Sequence, residues 1–199
     1  MRYVIMANGQ CRRWNNALGV KKHLIEIEGE TLLARTVRLI HKYDQNCELI
    51  IASSYESHNV SGARRHSPRR NKYELDRFCY ELVCDDVCFL YGDVYYTDET
   101  IESIVQYNVH PMVFFGNERT IVAVKVQDGS VFKSLVDELF GEIYAGRLCD
   151  ARGWDLLGLA RDRAIVENID SLFVTIDSKT TDFNTIEDYR TFMNRYENQ

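Results

Sequence analysis

The chain opens on a short apolar run, residues 2 to 7 (RYVIMA), that stops at Asn8-Gly9. This is the pattern of a buried strand running into a loop. Apolar and polar positions then alternate over residues 24 to 29 (LIEIEG). In TLLARTVRLIHKY, Leu32, Leu33, Thr36, Val37 and Ile40 share one helical face. Two further continuous apolar runs, ELIIASS (48 to 54) and VCFLYG (87 to 92), read as strands covered on both faces. Between them NVSGARRHSPRRNK reads as a polar loop, and Leu75, Phe78 and Leu82 predict a helix over YELDRFCYELV. DETIESIVQY predicts a helix. MVFFG and TIVAVKV predict strands, the second closing on a turn at Gln127-Asp128-Gly129-Ser130. VFKSLVDELF and WDLLGLARD are helical by period, LFVTI is a last strand and TIEDYRTFM a closing helix.

Strands and helices that alternate in this way imply a three-layer α/β/α sandwich on a mostly parallel, mixed central sheet of Rossmann-like type. Its ligand site is expected at the carboxyl ends of the strands. No repeat and no linker-like stretch divides the chain, so one domain over residues 1–199 is expected.

Composition narrows the partners. With 45% hydrophobic residues, the 199-residue chain can bury a sizeable core. Its net charge of −6 argues against a nucleic-acid partner, which calls for a basic surface. No apolar run approaches the roughly 18 residues of a bilayer span, and MRYVIMANG lacks the apolar core of a signal peptide; a cytoplasmic setting without a membrane partner is expected. The six cysteines are too sparse for a disulfide scaffold, and Cys79, Cys84 and Cys88 lack C-x-x-C spacing, so they read as reduced thiols. The five histidines show no ligand spacing.

Three segments that come after strands carry chemistry. The first is the loop Ala7-Asn8-Gly9-Gln10-Cys11-Arg12-Arg13-Trp14 with Lys21-Lys22 beyond it. A turn after a strand exposes backbone N–H groups, and a glycine lets them approach a phosphate closely. Arg13 can engage phosphate oxygens bidentately, and Lys22 can act as a point charge. The second is Phe89-Leu90-Tyr91-Gly92-Asp93, an apolar strand ending in a carboxylate. Thr97 and Asp98 stand closer to the next helix start, which frees Asp93 from a capping role. The third runs from Thr181 to Tyr189; Thr185 and Asp188 fit a helix-capping signature, which leaves Asp182 and Asn184 for the site.

Together these segments resemble the GT-A-like nucleotidyltransferases, the group holding sugar-phosphate, molybdopterin and phosphocholine nucleotidyltransferases. Their pattern runs A-x-G-x-G-x-R and then P-K-x-L. Gly9, Arg13 and Lys22 match it, while Cys11 stands at the second glycine and Lys21 at the proline. Gly29, Leu32, Leu33 and Arg35 match the G-x-x-L-L-x-R helix start. Gly92-Asp93 matches the "GD" metal site, and residues 182 to 189 are similar to D-x-N-T-P-E-D-Y.

The resemblance implies a GT-A type fold and a nucleoside triphosphate bound by Ala7, Asn8, Gly9, Gln10, Cys11, Arg12, Arg13 and Lys22, with Arg13 and Lys22 as the catalytic cations. It also implies Mg2+ on Asp93, with Asp182 or Asn184 as a further ligand. The reaction would pass a nucleoside monophosphate to a small phosphorylated acceptor, such as a sugar 1-phosphate, and release pyrophosphate. A metal suits it because both reacting groups are anionic. Residues 1–110 would form the nucleotide half and 111–199 the acceptor half. Two alternatives stay open: a glycosyltransferase of the same fold, although Asp93-Val94-Tyr95 is not a D-x-D pair, and a nucleotide-binding regulator without catalysis. Open too are the base, the acceptor, homodimer formation and a role for the basic run Arg64 to Lys72. Trp154 reads as an acceptor platform or a core residue, and Lys179 as a phosphate contact or an exposed loop residue.

Overall fold

In the computed structural model, which describes residues 1–11 and 13–196, the apolar runs become strands where their pattern places them. In chain order the elements are β1 (Arg2–Met6), β2 (Glu26–Ile27), β3 (Glu30–Thr31), α1 (Leu32–Tyr43), β4 (Glu48–Ala52), β5 (Arg64–His66), β6 (Val87–Tyr91), β7 (Val94–Tyr95), α2 (Asp98–Gln106), β8 (Met112–Gly116), β9 (Ile121–Val126), α3 (Gly129–Tyr144), α4 (Gly153–Asp162), β10 (Phe173–Thr175), β11 (Thr181–Asp182) and α5 (Ile186–Tyr196).

Seven strands form one sheet in the order β10-β8-β9-β6-β1-β4-β5. Only β9 runs antiparallel to its neighbours, so the sheet is mixed and mostly parallel. Alternation along the central strands sends side chains to both faces. Val4, Met6, Phe89 and Val124 pack with Phe132 and Leu135 of α3 and Leu156 of α4. Tyr3, Ile5, Leu90 and Ala123 pack on the opposite face with Leu33, Val37 and Ile40 of α1 and Ile101 and Ile104 of α2. These two cores make the three layers. A third, smaller core of Trp14, Ile25, Ile27, Leu32, Tyr95 and Phe183 lies outside the sheet, against residues of α5.

Four local expectations change. The helix expected over residues 73 to 83 is two 3-10 turns, Glu74–Phe78 and Tyr80–Leu82, broken where Cys79 takes a left-handed φ of 44°. Leu75, Phe78 and Leu82 nonetheless all reach the core: the first turn keeps Leu75 and Phe78, i and i+3, on one side, and Leu82 packs there from the second turn. The turn at Gln127 to Ser130 is the start of α3, where the Asp128 carboxylate accepts from the N–H groups of Ser130 and Val131 at 2.9 and 3.1 Å. The alternating segment at 24 to 29 holds β2 and a tight turn: Glu28 and Gly29 both have positive φ, the geometry of a two-residue hairpin into β3. Part of the polar loop is a strand, because Arg64–His66 extends the sheet edge beside β4.

Candidate active site

The sheet's central strands β1 and β6 end side by side, and backbone hydrogen bonds hold the first residues beyond each of them. The Ala7 N–H bonds the Ala52 carbonyl at 3.0 Å, and the buried Asn8 side chain accepts from the Ser54 N–H at 3.1 Å. Ala7 and Asn8 therefore lie beneath the loop, and from Gly9 the chain becomes cavity wall. Cys11 has φ 51°, the left-handed conformation that a glycine would supply at that point of the pattern. Trp14 anchors the loop. Its ring is buried in the third core, edge-on to Tyr189, and its Nε1 donates to the Val20 carbonyl at 2.8 Å. That anchor sets Arg13 on one side and Lys22 on the other.

At the end of β6, the Gly92 N–H donates to the Met6 carbonyl at 3.0 Å. A Cβ on Gly92 would lie 2.9 Å from that same oxygen, so glycine is required for the next residue, Asp93, to sit against the first loop. The buried Asp93 carboxylate accepts a short, charged hydrogen bond from Nζ of the equally buried Lys22. Burial pushes the Asp93 carboxyl up, but Lys22 and His23 outweigh it and bring the group down to about 2. Behind them, burial lowers His23 to about 3 and His58 to about 4, so both rings are neutral near pH 7 and pack edge to face at 5.1 Å.

The C-terminal segment reaches the same point by strand pairing. β11 runs antiparallel to β7 with Asp182 opposite Val94, and the Phe183 N–H donates to the Asp93 carbonyl at 2.9 Å. Burial and then the charge of Asp93 push the Asp182 carboxyl up. The Asn184 amide donates to Asp182, and its oxygen accepts from the Arg13 guanidinium at 2.9 Å. Asp188 is occupied as expected, accepting from the N–H and hydroxyl of Thr185 at 2.7 and 2.9 Å.

Gly9, Gln10, Cys11, Arg13, Lys22, Asp93, Asp182 and Asn184 thus line one cavity of about 560 Å3. Arg12 lies outside the described residues. Lys179 is exposed and away from the cavity wall, whereas Trp154 is on that wall with its ring stacked on Phe173. Of the basic run, Arg64 pairs with Glu48 and Arg65 bonds the Ser53 carbonyl, while Lys72 reaches the cavity.

The sequence reading missed much of the remaining wall, above all Arg77, Arg119, Arg152 and Asp150. The Arg77 guanidinium, paired with Glu74 at 2.8 Å, lies 3.3 Å from where a Cβ on Gly9 would be. Gly9 therefore makes room for an arginine as well as for a ligand. No sequence period marks these residues; they meet through the turns around Cys79, the β8–β9 connection and the segment that leads into α4. Among the described residues six cationic side chains face four acidic ones in the cavity, a net positive wall on an acidic chain. Burial raises the Cys11 thiol, so it is no thiolate nucleophile. The arrangement suits bound polyanions that react with each other.

No known family model and no curated protein sequence matches the chain. Solved structures do match over nearly its whole length. CTP:phosphocholine cytidylyltransferase from Streptococcus pneumoniae is 13% identical with a TM-score of 0.63, covering 98% of each chain. The 4-diphosphocytidyl-2C-methyl-D-erythritol synthase from Anaerococcus prevotii is 13% identical with a TM-score of 0.64, covering 100% of this chain and 96% of its own. The inositol-1-phosphate CTP transferase from T. maritima is 13% identical with a TM-score of 0.62, covering 96% and 93%. At these identities the likeness shows a shared α/β fold.

Proposed function

We propose that the protein is a nucleotidyltransferase that moves a nucleoside monophosphate from a nucleoside triphosphate to a small phosphorylated acceptor. One observation carries the reading: Lys22, Asp93 and Asp182 converge from three distant segments at the carboxyl ends of β1 and β6, in a net-positive cavity. The nucleotidyl-transferring enzymes named above share the fold, which supports the reading.

In this reading Gly9, Gln10 and Cys11 hold the triphosphate by the backbone, and Lys22 exchanges its bond with Asp93 for a phosphate oxygen. Arg13, steadied by Asn184, neutralises charge that grows on the departing pyrophosphate. An oxygen of the acceptor phosphate attacks the α-phosphorus in line. The bond from that phosphorus to the bridging oxygen breaks, and pyrophosphate leaves. No side chain needs to remove a proton, because the attacking phosphate is already anionic.

The site fits magnesium. Asp182 is raised partly by the charge of Asp93, a repulsion that a bound divalent cation would relieve. Asp93 and Asp182 would hold it, with Asn184 beside them. Among the described residues no three or more His, Cys, Asp or Glu side chains are grouped so as to hold a metal ion, but magnesium needs only one or two carboxylates from protein. When bound, it supplies charge that offsets the phosphate oxygens. Residues 1–110 then hold the nucleotide and residues 111–199 face the acceptor.

The test is pyrophosphate release by purified protein with magnesium, each of the four nucleoside triphosphates, and a panel of sugar 1-phosphates and phosphocholine. Release that disappears in Asp93→Asn is expected. No release, together with unaltered nucleotide binding by Asp93→Asn, would overturn the assignment.

A further inference from the structure

The acceptor wall of the same cavity carries two exposed arginines without a carboxylate partner among the described residues, and the inference drawn from it rests on the nucleotidyl-transfer reading. Arg119 lies in the β8–β9 connection, and Arg152 immediately precedes α4. Their segments touch: a Cβ on Gly153 would lie 3.4 Å from Cδ1 of Ile121. Several other arginines are paired with glutamates, as Arg2, Arg38, Arg77, Arg147 and Arg163 are. Neither Arg119 nor Arg152 has a carboxylate partner among the described residues.

The acids nearby are already engaged. Asp150 accepts the Glu74 N–H at 2.9 Å and the Ala151 N–H at 2.8 Å, and the Glu74 carboxylate holds Arg77. Two guanidinium groups on one cavity wall, neither ion-paired among the described residues, offer a binding surface for an anion and disfavour a cation. Beside them Trp154 is stacked on Phe173 with ring centroids 5.8 Å apart and remains 41% exposed, so part of its surface is open to a carbon skeleton.

We propose that the acceptor carries a second anionic group beyond its attacking phosphate, a carboxylate or a further phosphate, bound by Arg119 and Arg152 with the carbon skeleton against Trp154. The attacking phosphate itself belongs beside Asp93 and Asp182, where Arg13 and Lys22 already stand. Acceptors with a quaternary ammonium are disfavoured.

The experiment measures pyrophosphate release with acceptors matched in skeleton and different in charge. Glucose 1-phosphate is set against glucuronic acid 1-phosphate and glucose 1,6-bisphosphate, and glycerol 3-phosphate against 3-phosphoglycerate, with phosphocholine as the cationic member. The doubly anionic members are expected to exceed their partners by about tenfold or more in kcat/KM. The Arg119→Gln/Arg152→Gln double variant is expected to bring that ratio to about one while the KM for the nucleotide holds. The carboxylate and bisphosphate arms tell the two anions apart. Preference for glucose 1-phosphate or phosphocholine overturns this inference and leaves nucleotidyl transfer standing. So does an equal loss for both members of a pair in the double variant, which would place the arginines on the attacking phosphate. Pyrophosphate release with none of the acceptors, together with nucleotide binding unaltered in Asp93→Asn, overturns both.

Discussion

The molecule buries two lysines, and they are built for opposite ends. Lys125 on β9 donates to the carbonyls of Ile104, Val105 and Tyr107 at 2.9, 2.8 and 2.8 Å, closing the end of α2. Its three protons are all used, and its charge meets the negative end of a helix. Lys22 is buried to a similar degree, yet its charged partner is the single carboxylate of Asp93, at the wall of an open cavity. A lysine saturated by carbonyls is a fastener. One with a single exchangeable partner beside a cavity can turn to a ligand.

The largest expected effect breaks that contrast directly. Lys22→Gln should lower kcat for pyrophosphate release by about 100- to 1000-fold, the usual loss when one preorganised donor is removed from a transition state. Lys125→Met should leave turnover of the folded protein near wild type. Its cost is in stability, about 1–3 kcal/mol for carbonyls left unpaired, read from urea unfolding. Equal loss of turnover in both folded variants would dissolve the distinction.

Next comes Gly92→Ala, whose methyl group meets the Met6 carbonyl at 2.9 Å, backbone that cannot rotate away. A loss of about 1–3 kcal/mol is expected in unfolding experiments, with weaker magnesium-dependent nucleotide binding, because Asp93 is displaced. A stability equal to wild type would show that this junction is not tight.

The pH dependence arises from the two carboxylates, which are shifted in opposite directions. Asp93 is depressed to about 2, so the stability it lends is present above the unfolded carboxyl value near 4 and is lost as pH falls from there towards 2. Asp182 is raised, so its ionised form costs stability and protonation relieves it. Asp182→Asn should therefore steepen the acid loss, whereas Asp93→Asn should flatten it, in unfolding measured across that range. As pH falls, magnesium stabilisation should fade at a higher pH than an unshifted carboxyl would give. A magnesium effect that titrates only with an unshifted carboxyl would count against Asp182 as a ligand.

The smallest effect is at Gly9. An added methyl group meets the Arg77 guanidinium at 3.3 Å, the far end of a flexible side chain. Gly9→Ala should change stability by less than about 1 kcal/mol. It should weaken nucleotide binding more than it alters folding, as seen by comparing calorimetric Kd with the urea midpoint.

The sheet was legible because β1, β4 and β6 are continuous apolar runs, which only burial on both faces explains. The Asp93, Asp182 and Asn184 cluster was legible because its segments keep recognisable spacing. Asp188 could be set aside because its capping partner Thr185 lies three residues away. The conformation at Cys79 was not legible, since a left-handed cysteine has no sequence signal. Nor were Arg77, Arg119 and Arg152, whose shared wall is made by contacts between distant turns. The basic run, whose role the sequence leaves open, divides: Arg64 and Arg65 hold the sheet edge, and Lys72 alone of its cations reaches the cavity.

The most direct measurement of the central claim is the calorimetric affinity of the tightest-binding nucleoside triphosphate, with and without magnesium, for wild type and Lys22→Gln. A magnesium-dependent Kd that rises by about 30-fold or more in folded Lys22→Gln is predicted, the loss of one charged phosphate contact in a partly dry site. An unchanged Kd in that variant would contradict the account.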